Sequence, residues 1–281
     1  MPSLSETRPV TVPAFVAAKG RERLAMMTAY DAPTAKLLDA AGLDALLVGD
    51  SVEMAIYGSA NTLSATMDAM IRHARAVSGA AARALVVGDM PFLSYQADTA
   101  RAVENAGRFL SEGGCAAVKV EGGRRVLSAV EAVLAADIPV MGHVGLTPQS
   151  FRKFGGFKVQ GRESDSAREI RGDAVALAQA GCFAIVLEGM PGSLAAEITG
   201  AVAVPTIGIG AGPGCDGQVL VFHDAMGLNR EFQPRFVRRY AELASTIEEA
   251  ARAYTRDVKS GSFPSEAESY ADGKPALRRV R

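Results

Sequence analysis

The chain has 281 residues, of which 48% are hydrophobic and 22% charged, and a formal net charge of -1. That balance is ordinary for a globular protein and gives no sign of a nucleic-acid surface or an acidic tail. No apolar run approaches the roughly 18 residues that spanning a bilayer requires, and three cysteines without CxxC spacing indicate neither a disulfide framework nor a zinc cage. Met1 to Pro9 is mostly polar and has no signal-peptide core, so the expected compartment is reducing and cytoplasmic.

Residues 1–23 read as a lead-in segment with one short helix. Leu24 to Tyr30 is a first strand, followed by Asp31 and a helix over 33–41 that has Pro33 near its start and Gly42 at its end. Ala45-Leu-Leu-Val48 leads to Gly49-Asp50-Ser51, and Ala84-Leu-Val-Val87 leads to Gly88-Asp89-Met90 in the same way. Continuous branched apolar runs are the pattern of strands buried on both faces, as in a parallel sheet. Each glycine is expected to let the backbone turn and deliver the following Asp beyond the strand end. Helices are expected over 66–77, between these strands, and over 98–112, after the second.

Cys115 to Val120 is the fourth strand and ends in Glu121; a helix over 125–136 and the strand Ile138 to His143 follow. The basic, glycine-bearing stretch 145–162 is read either as a solvated loop or as a lid whose cations meet an acidic ligand tail. Helix 166–180, strand 183–187 ending at Glu188, a short helix over 194–199, strand 204–208, a glycine-rich loop and strand 218–222 complete the alternation. The glycine-rich loop has no P-loop lysine and is a weak cofactor signal. A long amphipathic helix over 235–258 and a tail close the chain, with Phe236, Val237, Tyr240 and Leu243 to spare for a partner.

Eight strands alternating with helices match a (β/α)8 barrel, here taken as one domain with a lead-in (1–23) and a C-terminal helix and tail (235–281). An open doubly wound sheet would scatter the polar residues that end successive strands, whereas a barrel gathers them at one mouth. Asp50, Asp89 and Glu121 then form an acidic set suited to a hard divalent cation, with room for one acid to act through water. Lys119, on the same strand face as Glu121, suits an anionic substrate. His143 suits substrate contact or proton handling, and Glu188 suits a general base. A structural histidine and a helix-capping acid are the alternatives for these last two.

The motifs Thr28-Ala-Tyr-Asp31, Gly49-Asp-Ser51, Gly88-Asp-Met-Pro-Phe92, Val118-Lys-Val-Glu-Gly122 and Gly142-His-Val-Gly-Leu-Thr-Pro-Gln149 resemble ketopantoate hydroxymethyltransferase. So do Gly156-Phe-Lys-Val-Gln-Gly161, Leu187-Glu188, Pro205-Thr-Ile-Gly-Ile-Gly-Ala-Gly212 and Cys215-Asp-Gly-Gln-Val-Leu-Val221, and together they cover about residues 10–265 in order. The resemblance implies a barrel of the phosphoenolpyruvate/pyruvate type, Mg²⁺, 3-methyl-2-oxobutanoate as the 2-oxo acid substrate and 5,10-methylenetetrahydrofolate as one-carbon donor. It also implies 2-dehydropantoate as product, a place in pantothenate and coenzyme A synthesis, and a homo-oligomer, commonly a decamer. Carried over by position, Asp50, Asp89 and Glu121 are the metal acids. Asp50, Ser51, Asp89 and Lys119 meet substrate, Glu188 is the base and His143 the active-site histidine.

Three stretches depart from the family pattern: Glu53 where a small residue is usual, Ser59-Ala-Asn-Thr-Leu63, and Phe263-Pro-Ser-Glu-Ala-Glu268, which lacks a histidine. The rival readings are a carbon–carbon lyase or mutase on the same barrel, whose usual Lys-Lys-Cys-Gly-His loop is missing here, and an inactive barrel scaffold.

Overall fold

The apolar runs have no polar face to offer solvent, so each is stable only with neighbours on both sides. The computed structural model describes residues 8–230 and 233–270. The strands are β1 (Leu24–Thr28), β2 (Ala45–Val48), β3 (Leu85–Asp89), β4 (Ala117–Glu121), β5 (Val140–Gly145), β6 (Ala184–Glu188), β7 (Thr206–Ile209) and β8 (Gly217–Leu220). They pair in parallel in chain order, and β8 closes on β1, so the sheet is a closed barrel and not an open one.

The helices are α1 (Val12–Ala17), α2 (Ala32–Ala40), α3 (Val52–Ala55), α4 (Met67–Ser78), α5 (Thr99–Ser111), α6 (Leu127–Ala135), α7 (Phe151–Phe154), α8 (Ser164–Ala180), α9 (Gly192–Ala201), α10 (Phe222–Ala225) and α11 (Leu243–Ser260). Side-chain caps set several starts: Asp31 accepts from the Thr34 amide at 2.8 Å, and Asp98 accepts from the Arg101 amide at 2.9 Å. Asp31 is therefore a strand-end acid spent on a helix cap. Contacts divide the chain into two compact units, one running to Phe222 and including Pro234–Val237, the other comprising His223–Gln233 and the residues from Arg238 onward.

Inside the barrel, Leu47, Val87, Ala117, Met141, Val186, Ile207 and Val219 form a buried apolar cluster that is continuous with Phe15 of α1. Phe15 packs edge-on against Phe183, which precedes β6, at 5.9 Å between ring centroids. The lead-in helix thus plugs the end of the barrel where the strands begin. Because side chains alternate, residues two or four places beyond this interior layer also point inward, at the opposite end. Asp89 follows Val87, Lys119 and Glu121 follow Ala117, His143 follows Met141, and Glu188 follows Val186.

Two sequence expectations need correction. Gly88 lies within β3 and does not turn the chain; a Cβ there would stand 2.2 Å from the Phe109 ring of α5. Its role is close packing of helix on strand, with its neighbour Asp89 pointing the other way. The C-terminal helix begins at Leu243, not at 235. Residues 234–237 form a turn, with the Val237 amide donating to the Pro234 carbonyl at 2.9 Å, and Val237 is buried in the barrel unit. Phe236, Tyr240 and Leu243 recur at i, i+4 and i+7, which mimics a helix over a short window.

Replacing Gly88 with Ala is expected to destabilise the protein by about 1–3 kcal/mol, because the added methyl overlaps a fully buried ring. Urea titration measures this directly, and an unchanged midpoint would show that α5 yields without cost.

Candidate active site and metal centre

The inward alternation and the parallel register bring the polar residues together. Asp89 is in register with Lys119, and Glu121 with His143, across adjacent strands. Asp50 arrives from the turn after β2, where its backbone amide donates to Asp89 Oδ2 at 3.2 Å. Asp50, Ser51, Asp89, Lys119, Glu121, His143 and Glu188 all line one cavity of about 90 Å³. Asp50, Asp89, Lys119, Glu121 and His143 are each at most 3% exposed. Glu188 is more open, with 16% of its side chain exposed.

The three acids are the group among the described residues that could hold a cation, each offering an oxygen within 4.8 Å of the others. Lys119 Nζ lies 2.7 Å from Asp89 Oδ1, 3.2 Å from Glu121 Oε1 and 3.2 Å from His143 Nδ1. The other imidazole nitrogen of His143 faces Glu188 Oε2 at 3.2 Å. One chain of polar contacts therefore runs from Asp89 through Lys119 and His143 to Glu188.

Burial, reinforced by Asp89 and Glu121, raises the Asp50 carboxyl well above the ordinary range, against a smaller opposing pull from Lys119. Burial also raises Asp89, although Lys119 beside it works against this. For Glu121 burial acts in the same direction but is outweighed by Lys119, His143 and the Gln149 amide, which hold it at about 2. Burial and the Lys119 charge act to lower His143, yet Glu121 and Glu188 prevail and bring it to about 9. Desolvation likewise opposes the Lys119 ammonium, but Asp89, Glu121 and Asp50 outweigh it and raise its pKa.

Three buried acids, with Glu188 beside them, outnumber Lys119 and the protonated His143. A hard divalent cation bound by oxygen is what such a donor set fits.

Several residues take other places. Glu53 does not join the acids: its carboxylate accepts from Ser59 at 3.0 Å and from Ser64 at 2.6 Å, which ties it into its own loop. Ser51 Oγ is 2.8 Å from the Tyr30 hydroxyl. His73 bridges the Tyr30 carbonyl at 2.6 Å and the Tyr57 hydroxyl at 2.9 Å, a structural role. In the glycine-rich loop, Gly212 allows close approach of the Gly192 backbone at the start of α9.

Tyr95 and Gln149 were not singled out by the sequence reading. Gln149 Nε2 donates to Asp50 Oδ2 at 3.1 Å, and the Gln149 backbone amide donates to Glu121 Oε2 at 3.1 Å. A polar residue closing the loop after β5 was the available signal. Lys153 of the basic stretch lines a neighbouring cleft of about 400 Å³ together with Arg124 and Arg125.

Residues 9–266 match the model of the family described as ketopantoate hydroxymethyltransferase. Among curated proteins, the chain is 55% identical to the 3-methyl-2-oxobutanoate hydroxymethyltransferase of Syntrophobacter fumaroxidans, over 91% of this chain and 90% of that one. It is 54% identical to the enzyme of the same name from Pelobacter propionicus, over 93% and 97% of the two chains. Among solved structures, a phosphonopyruvate hydrolase superposes with a TM-score of 0.61 at 15% identity, covering 92% of this chain and 93% of that one. A 2,3-dimethylmalate lyase of the PEP mutase/isocitrate lyase superfamily superposes with a TM-score of 0.56 at 16% identity, covering 92% and 91%. These structural likenesses are of the barrel fold.

The raised Asp50 and Asp89 pKa values fix a sign. Metal-free protein keeps the stability tied to these protonated acids at low pH and loses it as pH rises through their raised pKa values. The Tm gain on adding Mg²⁺ should therefore grow as pH rises from the ordinary carboxylate range through these raised values, because the cation meets acids that have to ionise. Thermal melts across that range provide the check; a gain independent of pH would count against these acids as the metal ligands.

Proposed function

The chain belongs to the ketopantoate hydroxymethyltransferase family, a transferase family whose curated relatives are named 3-methyl-2-oxobutanoate hydroxymethyltransferase, and from that premise we propose how its own residues do the work. The reaction proposed is transfer of a one-carbon unit from 5,10-methylenetetrahydrofolate to 3-methyl-2-oxobutanoate, giving 2-dehydropantoate. The observation that carries the reading is the convergence of seven chemistry-bearing side chains on one small cavity.

Asp50, Asp89 and Glu121 would hold Mg²⁺, with at least one of them free to act through water. Bound there, the cation supplies Lewis acidity toward the keto oxygen of the substrate. Lys119, kept protonated by the acids around it, offers charge to the substrate carboxylate, and Ser51 offers a hydroxyl. Val186, Val219 and Ile209 give the cavity an apolar side suited to the isopropyl group. Glu188, at the open edge, takes the proton from C3, and His143 at 3.2 Å orients its carboxylate. The carbon so freed attacks the methylene carbon of the folate; both methylene C–N bonds break, water supplies the hydroxyl oxygen, and tetrahydrofolate leaves with its two nitrogens protonated by the C3 proton and one from water. The cleft carrying Arg124, Arg125 and Lys153 lies beside the mouth and suits the acidic tail of that donor.

The same proposal takes the protein to be cytoplasmic and a homo-oligomer. Among the described residues no helix is long and apolar enough to cross a membrane. Helix α11 has no buried residue and exposes Ile247, Tyr254 and Val258 at helical spacing, an apolar stripe suited to a second copy of the chain.

Folate-dependent formation of a hydroxymethylated keto acid, abolished by EDTA and restored by Mg²⁺, tests the reading; activity undiminished by EDTA would contradict it. Glu188→Gln should retain Mg²⁺ and keto-acid binding while solvent exchange of the C3 proton falls by roughly 10²–10⁴-fold, followed by NMR. Exchange at the wild-type rate would assign the base elsewhere. Asp89→Ala should lose Mg²⁺ binding in calorimetry, and an unchanged isotherm would remove Asp89 from the ligand set.

A further inference from the structure

A buried glutamine can donate two hydrogen bonds and accept two from its side chain, and in Gln149 all four are in use. Its Nε2 donates to Asp50 Oδ2 at 3.1 Å and to the Met90 carbonyl at 2.9 Å. Its Oε1 accepts from the Tyr95 hydroxyl at 2.8 Å and from Gln96 Nε2 at 3.0 Å. Its backbone amide donates to Glu121 Oε2 at 3.1 Å. One residue therefore grips two of the three acids, one by its side chain and the other by its main chain.

The orientation of the amide is fixed from outside the acid cluster. The Tyr95 hydroxyl accepts from the Glu121 backbone amide at 3.1 Å and lies 2.8 Å from Gln149 Oε1, nearer than its other acceptor, the Glu121 carbonyl at 3.1 Å. On the other side the Met90 carbonyl, which can only accept, holds Nε2. With Oε1 facing Tyr95, Nε2 must face Asp50. Tyr95 is 1% exposed, so no bulk water competes for these bonds. Gln149 engages Oδ2 of Asp50 and so leaves Oδ1 free of this bond, the more available oxygen for a cation. The residue is neutral, so it orients two acids without adding charge to a site already rich in it.

We propose that Gln149, locked by Tyr95, is the positioning residue of the metal centre: it fixes which oxygens of Asp50 and Glu121 are offered to a divalent cation. The inference rests on the reading of these acids as the Mg²⁺ site. Gln149 touches none of the reacting atoms in this account and acts through the carboxylates. Its effect should therefore appear as metal affinity and not as loss of turnover once metal saturates the site.

The test is Mg²⁺ titration by calorimetry on the full-length wild type, Gln149→Met and Tyr95→Phe, with Mn²⁺ electron paramagnetic resonance as a second readout of ligand geometry. Gln149→Met keeps the volume and removes every side-chain hydrogen bond. It should weaken Mg²⁺ by about 10–100-fold, the effect typical of losing an outer partner of a metal ligand. Tyr95→Phe, the milder change, should weaken it by a smaller factor in the same direction. Raising Mg²⁺ should restore C3 proton exchange in both variants, a rescue that a purely structural role would not give. Wild-type affinity in a folded Gln149→Met protein overturns the proposal, as does wild-type affinity in Tyr95→Phe if Gln149→Met does not fold. Failure of the wild type itself to bind Mg²⁺ overturns the metal reading along with it.

Discussion

The site depends on a charge imbalance in a confined, poorly hydrated space. Asp50, Asp89 and Glu121 are buried with oxygens within 4.8 Å of one another, and Lys119 is the lysine set among them. Coulomb repulsion at such distances is strong wherever water is scarce, so the acids share the cost unequally. Glu121, which faces both Lys119 and His143, ionises readily, while Asp50 and Asp89 resist. In the proposed function a cation relieves the imbalance and Lys119 meets the anionic substrate. The same imbalance links metal binding, protonation and stability.

The barrel makes this possible by separating two tasks along each strand. Inward positions fill the interior with apolar side chains at one end and with polar ones at the other. Outward positions pack the helices. Gly88 and Gly142 show how tightly the two tasks are interleaved: each sits beside a site residue, and a side chain at either would collide with Phe109 or Leu177 of the helical layer. Helix packing thus fixes the height of β3 and β5, and with it the positions of Asp89 and His143. The plug formed by Phe15 and Phe183 closes the far end, leaving the mouth as the way into the cavity.

Much of this was legible in the sequence because the signals were repetitive. Eight apolar runs ending in polar residues announce a barrel, and Asp50 and Asp89 repeat one motif. The mouth residues followed from where those runs end. Other features were not legible because short-range pattern does not encode them. Asp31 ends a strand as Asp89 does, yet it caps a helix, a choice made by its own backbone conformation. Phe236, Tyr240 and Leu243 recur at helical spacing, but the chain turns there and Val237 is buried within the barrel unit. Glu53 lies three residues beyond Asp50, and only the Ser59 and Ser64 hydroxyls show that it turns into its own loop. Gln149 carries no charge that marks it in the sequence; its importance lies in four side-chain hydrogen bonds to partners distant in the chain.

The central claim is that three acids from successive strand ends hold a single divalent cation. Anomalous diffraction from crystals soaked in Mn²⁺ tests it most directly. One strong peak is expected between the carboxylates of Asp50, Asp89 and Glu121, within reach of the cavity that Glu188 borders. An empty cluster, or a peak bound by other residues, would contradict it.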